Sequence, residues 1–94
     1  MSPTVWEIAL DAFDELDGIR VIELCYDEDA PKVALTRVEF LDIEGVIIAR
    51  DIYQGNEVIG YEWTRYLSEG SDEILGQGCG DDLRGFRADL ETFL

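Results

Sequence analysis

A chain of 94 residues is the length of one domain with a single hydrophobic core. Its apolar share of 47% argues against intrinsic disorder. Seven basic residues stand against 22 acidic ones with no histidine, a formal charge of -15 that repels bare nucleic acid and anionic membranes and attracts basic proteins.

Ser2-Pro3 reads as a helix start, a capping hydroxyl followed by a proline whose missing N–H costs nothing at the first helical position. Val5, Ile8, Ala9, Ala12, Phe13 and Leu16 recur at three-and-four spacing beside Trp6, and Gly18 marks the stop. This predicts an amphipathic helix over 3–17.

Four strand-like runs follow, 19–26, 33–41, 46–53 and 58–66, rich in Val, Ile, Tyr and Trp. Between the first two, Asp27-Glu28-Asp29-Ala30-Pro31 reads as an acidic turn. Gln54-Gly55-Asn56-Glu57 suits a two-residue hairpin turn with glycine first, pairing Ile52 with Ile59, Arg50 with Tyr61 and Ile48 with Trp63. Asp42-Ile43-Glu44-Gly45 suits a three-residue loop ending on a left-handed Gly45, pairing Asp42 with Val46 and Arg37 with Asp51.

These registers place Ala34, Val38, Phe40, Val46, Ile48, Ile52, Ile59, Tyr61 and Trp63 on an apolar face, with Ile22, Leu24 and Tyr26. The opposite, open face receives Val21, Glu23, Leu35, Arg37, Glu39, Ile47, Ala49, Asp51, Tyr53, Val58, Glu62 and Thr64, with a Glu23–Arg37–Asp51 ladder across three strands.

The stretch Gly70 to Gly80 reads as a glycine-punctuated connector with one helical turn at Asp72–Leu75. Asp81 or Asp82 caps a final helix that buries Leu83, Phe86, Leu90 and Phe93, while Gly85 inside it costs ~1 kcal/mol relative to alanine. The fold class expected is α+β, a single domain over 1–94. It comprises a four-stranded antiparallel meander in the order α-β-β-β-β-α, with both helices on one sheet face.

Catalytic chemistry is poorly supplied. Cys25 and Cys79 have no histidine to make a thiolate, and Asp81 and Asp82 hold the Cys79 proton on. Gly76–Gly80 lacks the Lys-Ser/Thr of a phosphate loop, and EF-hand loops ending at Gly18 or Gly45 would begin on Phe13 or Phe40. No cofactor and no metal are expected, and an enzyme using Cys79 or a carboxylate pair is the third choice. No secretory leader is expected at Met1–Pro3 and no run of about 18 apolar residues spans a bilayer, so reduced thiols and a cytoplasmic location are expected.

The placement of the acids carries more than their number. Glu7, Asp11, Asp14, Glu15 and Asp17 share the polar side of the first helix with no basic residue from Met1 to Ile19, and three of them oppose the dipole at its C-terminal end. Carboxylates one turn apart sit on the scale of phosphates along a nucleic acid. The expectation is a non-catalytic protein-binding module whose acidic helix face engages a basic, nucleic-acid-binding partner as a decoy. The alternative is a homodimer through the open sheet face, using Glu23, Leu35, Arg37, Asp51, Tyr53 and Glu62.

Overall fold

The computed structural model describes residues 4–24 and 35–94. Its elements run α1 (Val5–Glu15), β1 (Ile19–Leu24), β2 (Leu35–Phe40), β3 (Val46–Gln54), β4 (Glu57–Tyr66), β5 (Ile74–Gly80) and α2 (Arg84–Thr92). The expected Ser2-Pro3 start, the Asp27–Pro31 turn, Cys25, Tyr26 and Ala34 lie outside the described residues.

Thr4 caps α1: its backbone is extended and its hydroxyl accepts the Glu7 N–H at 3.3 Å. A second orphan donor, the Val5 N–H, reaches across to the Asp51 carboxylate on β3 at 2.8 Å. Val5, Ala9 and Ala12 are buried and Ile8 and Leu16 pack beside them. Phe13 does not join the core as the spacing predicts. The small side chains of Ala9 and Ala12 bring the helix close to the sheet along a narrow stripe, and Phe13 falls outside it, 47% exposed.

The sheet is antiparallel with five strands in chain order, one more than predicted. The extra strand is β5, in place of the expected connector and its helical turn. Gly76, Gly78 and Gly80 recur with period two, the period of one strand face. A Cβ on Gly78 would lie 2.5 Å from the Trp63 indole, and one on Gly80 would lie 2.9 Å from the Tyr61 ring. The glycines seat two aromatic rings over an edge strand.

Hairpin β3–β4 opens as the turn chemistry predicts, with Gln54 opposite Glu57 and Gly55 at φ +64°. Two pairs later Ile59 is an extra residue, and beyond this bulge Ile52 pairs Gly60, Arg50 pairs Glu62 and Ala49 pairs Trp63. Hairpin β2–β3 keeps the positive φ of Gly45 but not the expected pairs, since Glu39, not Asp42, is opposite Val46. Its loop is tied elsewhere. The Leu41 N–H donates to the Gly18 carbonyl at 2.8 Å, and Arg65 donates to the Glu44 carbonyl at 2.6 Å.

Each register therefore differs from expectation by an odd number of residues. The two shifts cancel for β2 and β4, which keep Val38, Phe40, Tyr61 and Trp63 inward as predicted. They invert β3, where Ile47, Ala49 and Asp51 face the helices and Ile48 and Ile52 face away. Strand β1 is inverted too: Ile19 and Val21 pack on the core, with Glu23 opposite Thr36. The Glu23–Arg37–Asp51 ladder does not form, because Arg37 is opposite Ile48 and Asp51 is buried beneath α1.

Both helices lie on one sheet face, as predicted, packed against each other, α1 over β1 to β3 and α2 beside β5. Leu83 at the N-cap of α2 and Phe86 and Leu90 within it are buried as the spacing predicts, and Phe93 meets Phe40 and Trp63 edge-on at 5.8 and 5.6 Å. Asp82 accepts the Arg84 N–H at 3.0 Å at its start. Gly85 is where the Tyr61 hydroxyl passes, 2.8 Å from where a Cβ would be. Among the described residues no helix is long and apolar enough to cross a membrane.

Candidate functional site

Seven basic residues cannot neutralise 22 acids, so their placement decides where negative charge is left over. On the sheet face away from the helices, Arg20 meets Glu39 at 3.7 Å, Arg37 meets Glu39 at 3.3 Å and also Glu69, and Arg50 meets Glu62. Arg65 is committed to the Glu44 carbonyl and lies over the Phe93 ring at 4.5 Å. Arg84 pairs with Asp82 at 3.2 Å. Arg87 holds Glu15 of α1 at 2.6 Å and Glu91 at 3.0 Å. Every arginine is thus engaged within the fold.

The acidic side of α1 is divided by this. Glu15 is neutralised, and the hydrogen bond from Arg87, then its charge, hold that carboxyl below its ordinary value. Glu7, Asp11, Asp14 and Asp17 are exposed, and none has an ion pair among the described residues. Trp6, Leu10 and Phe13 each precede one of these acids and recur at helical spacing, forming a stripe alongside Glu7, Asp11 and Asp14. Leu10 is 37% and Phe13 47% exposed, so the outer surface of α1 carries an apolar stripe alongside its acidic one. Phe13's part in it was not legible in the sequence, where its spacing fits the buried stripe.

The second predicted surface is only partly assembled. Leu35, Arg37 and Glu62 lie on the open face. Asp51 does not: it caps α1 from below, and burial raises its carboxyl above the ordinary value against the opposing effect of the Val5 N–H. Glu23 is exposed on β1 with the opposite facing, and Tyr53 pairs with Val58 on the helix side of the sheet. In their place Ile22, Leu24, Ile48 and Ile52 line the open face. The β4–β5 loop borders it, bringing Glu69 onto Arg37 beside a groove of about 440 Å³ floored by Leu24, Val46, Ile48 and Tyr66.

Asp89 accepts the Trp63 indole N–H at 2.8 Å and the Tyr61 hydroxyl at 3.3 Å. Burial, with the Asp89 charge behind it, pushes the Tyr61 phenol up to about 12. Cys79 is an exposed free thiol opposite Glu62. Among the described residues no group of three or more His, Cys, Asp or Glu side chains is placed to hold a metal ion.

Comparison with protein-family models, with curated proteins and with solved structures found no match to this chain.

Proposed function

We propose that this protein is a non-catalytic binding module that engages a cationic protein through the outer face of α1. The observation that carries this reading is the coincidence of unneutralised Glu7, Asp11 and Asp14 on α1, and Asp17 in the turn beyond its end at Glu15, with exposed Leu10 and Phe13. Carboxylates supply steering, and the adjoining apolar side chains supply area to desolvate on contact. A basic nucleic-acid-binding cleft is the kind of surface this complements, the acids standing where phosphates otherwise lie. Engagement of the arginines inside the fold supports a partner that is protein rather than nucleic acid.

The test is retention of basic proteins on the immobilised chain at low and high salt. A form carrying Glu7→Gln, Asp11→Asn, Asp14→Asn and Asp17→Asn, and a separate Phe13→Ser form, are run beside it. Salt-sensitive retention that the neutralised helix loses supports the reading, and loss of one specific protein in Phe13→Ser assigns the apolar stripe. Retention indifferent to salt and to all four neutralisations removes it.

One observation favours a second reading, self-association through the open face. Arg20, Arg37 and Arg50 are balanced there by Glu39, Glu62 and Glu69, so it is a face on which two copies meet with little repulsion. Sedimentation at micromolar concentration decides it; a monomer of 10.6 kDa removes it.

A further inference from the structure

Strand β5 differs from the other described strands in carrying no charged residue: Ile74-Leu75-Gly76-Gln77-Gly78-Cys79-Gly80. It is the last strand of the sheet, paired with β4 on one side, and among the described residues Ile74–Gly80 make no backbone hydrogen bond beyond that ladder. The other side is a row of peptide groups open to a further strand, with Ile74 and Leu75 exposed by 49% and 43% beside it. The opposite edge of the sheet, β1, is guarded by Arg20 and Glu23 within the strand. On β5 the charges stand outside it, Asp72 and Glu73 before and Asp81 after, all exposed, with Asp82 beyond them held by Arg84.

That distribution selects among occupants. A second copy adding antiparallel about Gln77 would set Glu73 against Asp81 at both ends, like charges directly opposed. A strand with basic residues at both ends meets opposite charges at each. We propose that the outer edge of β5 adds an extended segment of a protein partner as a sixth strand, its uncharged centre framed by lysine or arginine on either side. Seven residues between the acidic ends span about 24 Å at ~3.4 Å per residue, which sets the length of that centre. Main-chain hydrogen bonds supply the affinity and the terminal ion pairs the register. The proposal rests on the cationic-partner reading above and adds a place and a conformation to it.

The probe is an eleven-residue peptide with two lysines at each end and alternating threonine and valine between, followed by amide hydrogen exchange across the whole protein. With peptide at about ten times its Kd, alternate amides of Ile74–Gly80 are expected to exchange about tenfold more slowly. The same peptide N-methylated at alternate residues is expected to have no effect. Combining Glu73→Gln with Asp81→Asn is expected to weaken binding about three- to tenfold. Equal protection by the N-methylated peptide overturns the proposal, as does protection nowhere. Protection confined to α1 overturns it while leaving the cationic-partner reading intact, and failure of that reading shows separately in the retention experiment on the neutralised helix.

Discussion

Asp51 shows how one side chain joins two layers. Its carboxylate satisfies the first donor of α1 from beneath, and burial holds it above the ordinary 3.8, with Glu7 adding to the rise. The native state therefore keeps this proton where the unfolded chain has released it. The stability contributed by the group is full below about pH 4 and falls as pH rises through the raised value. In urea denaturation across pH, Asp51→Asn is expected to remove this slope while keeping an acceptor for Val5, whereas Asp51→Ala loses about 1 kcal/mol with the cap. The glycines of β5 offer a second contrast. At Gly78 a methyl group meets the Trp63 indole at 2.5 Å, but at Gly76 the nearest ring atom is 3.9 Å away. Gly78→Ala is expected to cost about 1–3 kcal/mol by thermal denaturation. Gly76→Ala is expected to be neutral or to stabilise by up to about 1 kcal/mol through the unfolded chain.

Helix α1 carries no basic residue in its last turn, so its C-terminal carbonyls face Asp14 and, just beyond, Asp17. Asp14→Lys is expected to raise stability by roughly 0.3–1 kcal/mol, measured as a shift in the urea midpoint, and to weaken binding of a cationic partner. A single substitution that moves the two in opposite senses separates a selected acidic face from one kept for solubility. Much at this scale was legible in the sequence. The helices followed from apolar spacing, and the Gly55-Asn56 turn from its glycine. What escaped was set by contacts remote in the chain. Nothing near Ile59 announces a bulge, and the loop before Gly45 is held by Arg65 and Gly18. Strand β5 escaped for a different reason: glycine is depleted in strands, so a period-two run of it reads as a loop until Trp63 and Tyr61 lie across it. For the site, the acids of α1 were legible from their spacing, whereas the exposure of Phe13 depends on how closely Ala9 and Ala12 approach the sheet.

Across the whole molecule, charge is segregated: a balanced open face and a strongly anionic remainder. Added salt shortens the Debye length from about 10 Å at 0.1 M to about 3 Å at 1 M. The melting temperature is therefore expected to rise with sodium chloride as self-repulsion is screened, while any complex with a basic partner weakens over the same range; calorimetry and a binding titration in matched buffers read both. The sheet also stores a choice between inside and outside. Without the insertion at Ile59, and with the β2–β3 register moved by one residue to match, β3 would turn over and offer Val46, Ile48, Arg50 and Ile52 to the helices, a greasier set than Ile47, Ala49 and Asp51 except for its arginine. That guanidinium, which would leave Glu62 behind if β3 turned it under α1, acts as a sentry for the native alignment. Replacing it with leucine is expected to let the overturned strand compete, so that Arg50→Leu gives doubled amide signals for β3 in an NMR spectrum.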